Sequence, residues 1–149
     1  MLSTRWHKKY LNLATHIADW SKDPSTKVGA IAVGNVGQIL ATGYNGLPRG
    51  IEDSEERLSN REHKYRLTVH AEMNCIYNAT YNGVSLKNST LYVSGLPVCS
   101  DCAKGVIQVG VKTVVMPKYI DVPKKWHDSF KETKALFEEA NTDVIYVEV

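Results

Sequence analysis

VHAEMNCIYNATYNGVSLKNSTLYVSGLPVCSDCAKGVIQVGVKTVVM, residues 69–116, alternates helical and strand patterning twice over. A helix is predicted from Val69 to about Tyr81, with Gly83 just past its end, and Ser89 to Ser94 follows as a short apolar strand. Cys99 to Val109 reads as another helix closed by Gly110, and Thr113 to Met116 as the next strand. Two strands joined through a helix lie parallel in one sheet, with the helix packed on its face.

The same patterning extends in both directions. Trp6, Tyr10, Leu13, Ala14 and Ile17 recur at helical spacing and predict a first helix to about Trp20, stopped by Asp23-Pro24-Ser25. Val28 to Val33 and Ile39 to Tyr44, separated by Gly34-Asn35-Val36-Gly37, predict a hairpin. Asn45 to Thr68 is polar and charged with weak periodicity, and is expected to be one long functional loop. Trp126, Phe130, Phe137 and Ala140 mark a last helix, and Val144 to Val147 a final strand. The expected order is α-β-β-α-β-α-β-α-β: a single-domain α/β/α sandwich on a five-stranded mixed sheet. At 149 residues the chain has the size of one domain with one core.

His70-Ala71-Glu72 and Cys99-Ser100-Asp101-Cys102 together supply what a hydrolytic zinc site needs. The C-x-x-C spacing puts both sulfurs on one side of a helical turn, and His70 adds a nitrogen ligand from another segment. Three protein ligands leave the fourth position of a tetrahedral zinc to water, whereas a structural site closes with a fourth ligand. Helix N-termini favour thiolates at Cys99 and Cys102. Glu72, two residues from a ligand, falls at a different angle on the helix, so its carboxylate can work on protons instead of metal. Cys75 is the only other cysteine. It belongs to the apolar set Met73, Ile76 and Ala79 and reads as a core thiol.

Composition narrows the class. Hydrophobic content of 43% and charged content of 23% are ordinary for a globular protein, and no apolar run reaches membrane-span length. No signal-peptide pattern opens the chain, so a cytoplasmic protein with no membrane partner is expected. Three cysteines are too few for a disulfide scaffold. A net charge of +2 favours neither a nucleic acid nor a small anion.

The chain resembles the deoxycytidylate (dCMP) deaminases of the zinc-dependent cytidine deaminase superfamily. The likeness runs from about Ala14 to about Tyr119, on Ser21-Lys22-Asp23-Pro24-Ser25-Thr26-Lys27-Val28-Gly29-Ala30, Gly43-Tyr44-Asn45-Gly46-Leu47-Pro48-Arg49-Gly50, His70-Ala71-Glu72-Met73-Asn74 and Cys99-Ser100-Asp101-Cys102-Ala103-Lys104. It implies hydrolysis of dCMP to dUMP and ammonia, one Zn²⁺ per subunit on His70, Cys99 and Cys102, and Glu72 as proton shuttle. It also implies that Asn45, the Ala71 backbone and Tyr119 meet the substrate, with Tyr119 stacking on the base and Ser21 and Lys22 on the 5′-phosphate. Gly43, Tyr44, Gly46, Leu47, Pro48 and Arg49 would belong to a regulatory site for dCTP (activating) and dTTP (inhibiting), each with Mg²⁺, in a homo-hexamer. One departure from the pattern is Pro97-Val98-Cys99, where Val98 separates the proline from the first cysteine.

Two rival functions are distinguishable. A deaminase of tRNA or single-stranded nucleic acid needs a basic, aromatic-bearing groove. The basic runs here are only the pairs Lys8-Lys9 and Lys124-Lys125, and Glu52-Asp53-Ser54-Glu55-Glu56 is acidic, so no nucleic-acid partner is expected. A non-catalytic, zinc-stabilised nucleotide-binding module has no use for Glu72.

Overall fold

The structure, a computed structural model, describes residues 3–119 and 121–149. Its central strand β1 (Gly29–Val33) is buried throughout and pairs antiparallel with β2 (Ile39–Tyr44) on one side and with β3 (Thr90–Ser94) on the other. Parallel pairing then joins β3 to β4 (Thr113–Pro117) and β4 to β5 (Asp143–Val147), giving a mixed sheet in the order β2-β1-β3-β4-β5.

Period-two alternation divides the core. Ile31 and Val33, with Tyr92, Val115 and Val147, pack under helix α1 (Thr4–Ala18) through Tyr10, Leu11, Ala14 and Ile17. Ala30, Ala32, Leu91, Val93 and Val114 face the opposite way, toward α4 (Ala71–Tyr81), α5 (Ser100–Gln108) and α6 (His127–Glu139). The result is the expected α/β/α sandwich. Tyr92 is fully buried, and its hydroxyl is satisfied at 2.8 Å by Nδ1 of the buried His7. Helix α1 stops at Ala18, two residues short of Trp20, because the N–H groups of Trp20 and Ser21 bond back only three residues to Ile17 and Ala18.

Asn45 to Thr68 is not one loop. It holds two short helices, α2 (Glu55–Ser59) and α3 (Arg61–Leu67). Neither has an apolar stripe, so periodicity does not reveal them; side-chain caps create them. Ser54 Oγ accepts from the N–H of Arg57 at 3.2 Å, and Asn60 Oδ1 from that of His63 at 3.1 Å. A short 3₁₀ turn, Lys124–Trp126, likewise precedes α6.

Gly43 fixes how closely α4 approaches the sheet. A Cβ there would collide with backbone atoms of Ala71, Asn74 and Cys75. Because α4 begins beside His70, this contact also places the site. Gly43→Ala should therefore destabilise the fold by about 1–3 kcal/mol through overpacking. At this chain length that is a loss of roughly 2–4 °C in Tm per kcal/mol. An unchanged thermal midpoint would show that β2 and α4 can part at no cost.

Candidate active site

His70 and Cys99 occupy equivalent places: each is the residue immediately before a helix, with extended backbone at ψ 154° and 165°. The start of α4 and the start of α5 thus meet where β3 ends, the side of a parallel sheet at which α/β proteins bind ligands. Nδ1 of His70 lies 3.4 Å from Cys99 Sγ and 3.3 Å from Cys102 Sγ, and the three ligating atoms are all within 4.8 Å of one another. Tetrahedral zinc with ordinary bond lengths sets sulfur and nitrogen about 3.6 Å apart, so the donor set and its spacing both fit Zn²⁺. Cys75 lies in the core, where burial pushes its thiol up to about 12.

The electrostatics are those of a site prepared for a cation. A hydrogen bond from Cys102, with a second contribution from His70, brings Cys99 down to about 4 against the opposing effect of burial. Cys102 retains its proton, raised by that same bond and by burial. The thiolate at Cys99 in turn raises His70. Glu72 is buried at the second position of α4, and burial lifts its carboxyl to about 7, with the charge on Cys99 adding to the rise. A carboxyl titrating near neutrality can both take and give a proton.

His70, Glu72 and Cys99 line a cavity of about 190 Å³. His70, Ala71, Glu72 and Cys99 form one end. Leu96, Pro97, Trp126 and Phe130 make an apolar wall, in which the Trp126 and Phe130 rings stack with centroids 6.2 Å apart. The polar side comes from Ser25, Thr26 and Asn45, together with Arg61, Lys64 and Tyr65 of α3 and Lys125. Lys125 donates to the hydroxyl of Tyr65, and that hydrogen bond, aided by the lysine's charge, holds the phenol below the usual range.

Several residues expected at the substrate are placed differently. Lys22 is exposed and paired with Asp53 at 3.0 Å, and does not line the cavity. Ser21 is buried, donating to the Asn45 carbonyl at 2.8 Å and accepting from the Asp23 N–H at 3.2 Å, so it supports the wall from behind. Asn45 does line the cavity. Its side chain also holds the wall together, accepting from the Val28 N–H at 2.8 Å and donating to the Thr26 carbonyl at 2.9 Å. One amide hydrogen and one lone pair remain for a ligand. Tyr119 lines a neighbouring cavity of about 310 Å³, which shares only Pro97 and Phe130 with the first. Trp126 and Phe130 supply the aromatic side chains of the first cavity's apolar wall. Arg61, Lys64 and Tyr65 went unrecognised in the sequence because their helix is marked by its cap alone, and Lys125 was read only as half of a basic pair.

The segment from Gly43 to Arg49 runs along the outside of α4. Asn74 donates to the Tyr44 carbonyl at 2.7 Å, and Asn78 to that of Thr42 at 2.7 Å. Gly46 pairs with Val69, and Arg49 donates to Asn78 while lying over the Tyr81 ring.

Residues 4–118 match the family model of the cytidine and deoxycytidylate deaminase zinc-binding region. The chain belongs to this family. Human deoxycytidylate deaminase is 36% identical over 138 residues, covering 87% of this chain and 71% of that protein. A protein of Aliivibrio fischeri, an uncharacterized deaminase of the luxG 3′ region, is 33% identical over 145 residues, covering 97% and 95%. Among solved structures, dCMP deaminase from the cyanophage S-TIM5, in complex with dCMP and dUMP, superposes with a TM-score of 0.77 at 27% identity, covering 99% of this chain and all of that one. The deaminase match ends at residue 118, so Lys125, Trp126 and Phe130 of the cavity wall lie beyond it.

Proposed function

We propose that this chain hydrolyses dCMP to dUMP and ammonia. The observation that carries the proposal is that one cavity gathers His70, Cys99, a buried Glu72 and the cations Arg61 and Lys125. Neither Arg61 nor Lys125 is in an ion pair among the described residues. Cations gathered at one cavity suit a single 5′-phosphate, whereas a strand of nucleic acid asks for a groove that tracks its backbone. The human relative and the phage structure carry the same activity and ligands in their names.

His70, Cys99 and Cys102 would hold zinc, which when bound supplies a Lewis acid that lowers the pKa of water to about 7. The chain's own residues do the rest. Glu72 accepts one proton from that water and delivers it to the ring nitrogen, where it stays in dUMP. It then takes the second proton, from the oxygen added to the ring carbon, and delivers it to the amine, which departs as ammonia as the C–N bond breaks. Asn45 and the Ala71 backbone orient the pyrimidine, while Trp126 and Phe130 shield it from solvent. Arg61 and Lys125 hold the phosphate, the task that Lys22 is too exposed to perform. Ultraviolet assay of dCMP, deoxycytidine, dCTP and tRNA, with ammonia release measured in parallel, tests the proposal. Turnover of dCMP is expected; turnover of tRNA alone would overturn it.

The regulatory part of the proposal concerns Gly43, Tyr44, Gly46, Leu47, Pro48 and Arg49. These residues are tied to the helix that carries Glu72, so a triphosphate bound there with Mg²⁺ has a mechanical route to the site. An exposed patch of Trp20, Ile39, Tyr44, Tyr77 and Tyr81 around the edge strand β2 and the outer face of α4 supports association into a homo-hexamer. No helix among the described residues is long and apolar enough to cross a membrane, and cytoplasmic residence is part of the proposal. Saturation by dCMP should be sigmoidal, made hyperbolic by dCTP with Mg²⁺ and inhibited by dTTP with Mg²⁺. The coupling expected is about 1–3 kcal/mol. Arg49→Ala should weaken both responses more than basal turnover. Hyperbolic saturation throughout, with dTTP competing against dCMP, would show an unregulated enzyme.

A further inference from the structure

Helix α3 has an unusual attachment: Lys64 is its only buried residue. A helix with no buried apolar side chain is held by that lysine, its N-terminal cap, its chain ends and the exposed contact of Tyr65 with Lys125. Lys64 Nζ donates to Ser25 Oγ at 2.7 Å and to Asp23 Oδ1 at 3.3 Å. The same Asp23 oxygen accepts from the N–H groups of Ser25 at 2.9 Å and Thr26 at 3.0 Å, and from Ser25 Oγ at 3.1 Å. Those bonds outweigh burial and hold the Asp23 carboxyl below its ordinary range, so it stays charged opposite the ammonium. The turn they define is rigid in its own right. Thr26 passes it on to Asn45 through its carbonyl.

Arg61 and Tyr65 flank Lys64 on the same short helix, and both line the cavity. We propose that Lys64 is a positioning residue: its ammonium docks α3 on the Asp23–Thr26 turn and thereby sets Arg61 and Tyr65 where the substrate phosphate is held. The proposal rests on dCMP being the substrate. Lys64 is largely neutralised by Asp23, so it serves binding through its neighbours and takes no part in moving protons.

The test combines steady-state kinetics with hydrogen exchange of the α3 amides on the zinc-loaded enzyme. Lys64→Met keeps the aliphatic stem and leaves Asp23 its three other hydrogen bonds, so folding should survive. KM for dCMP should rise about tenfold or more with kcat within about threefold, the pattern of lost binding in place of lost chemistry. Exchange across α3 should quicken while zinc content stays unchanged. Lys64→Arg should restore both KM and protection. Ser25→Ala, which removes the shorter bond together with the Ser25 Oγ–Asp23 bond and leaves the Lys64–Asp23 pair, should move KM the same way by less and quicken α3 exchange, and it decides the matter if the methionine variant does not fold. A fall in kcat at constant KM would put Lys64 in the chemistry and overturn the proposal, as would unaltered α3 exchange in Lys64→Met. Failure of the parent enzyme to use dCMP would instead sink the functional proposal, with α3 exchange still deciding how the helix is docked.

Discussion

Glu72→Gln should retain zinc at the parent's stoichiometry and deaminate dCMP at least about a hundredfold more slowly, the lower range for loss of a positioned acid–base group. Glutamine matches the shape of the buried side chain and accepts hydrogen bonds, so the cavity should keep its form. It cannot take up a proton. The parent carboxyl titrates near 7 because burial disfavours its charge, which suits a group that must be base and acid in one cycle. KM should change little, since the step removed is proton transfer. Single-turnover kinetics with zinc quantitation would check this, and near-normal turnover in a fully zinc-loaded variant would take Glu72 out of the mechanism.

Cys102→Ser should lose both metal and activity. Cys102 Sγ is one of three ligating atoms that lie within 4.8 Å of one another among the described residues, and serine offers a neutral, harder oxygen in place of sulfur. Without the metal, the pKa of the attacking water returns from about 7 to 15.7, so activity should fall by on the order of a thousandfold or more. Stability should fall with it, because metal bound only by the folded state adds its binding free energy to folding. Cys75→Ala makes the contrast: it removes a core thiol and should keep its zinc. Retention of zinc by Cys102→Ser, or its loss from Cys75→Ala, would mean that the ligand set is wrongly assigned.

The main helices were legible because their apolar residues recur at helical spacing, as Tyr10, Ala14 and Ile17 do in α1, and the strands because they are short apolar runs between turn residues. Ala30 to Val33, buried on both faces, is such a run. The metal-binding half of the site was legible for a different reason: His70-x-Glu72 and Cys99-x-x-Cys102 are short, and each sits where a helix begins, so sequence spacing converts almost directly into geometry. The anion-binding half offered no such route. Arg61, Lys64 and Tyr65 lie on a helix whose only sequence mark is its cap, Asn60 before Arg61. Lys22 looked like a phosphate ligand until its pairing with Asp53, 31 residues away, appeared. Tyr119 lies at the end of β4, where a turn of the chain decides which of two adjoining cavities its ring enters, and local sequence carries little of that choice.

The two faces of the sheet close on different schedules during synthesis. The layer under α1 draws on Tyr10 and Leu11, on Ile31 and Tyr92, and on Val147. Helix α1 therefore leaves the ribosome before every strand it packs on, and its partner surface is complete only once Val147 has followed. Contacts this distant along the chain slow folding and leave an apolar helix face uncovered in the interval. The layer that carries the zinc ligands reaches only from Val28 to Val144. A nascent chain halted just before Val147 would hold nearly all of the catalytic layer with an unfinished opposite face, and in that condition it should depend most on chaperones.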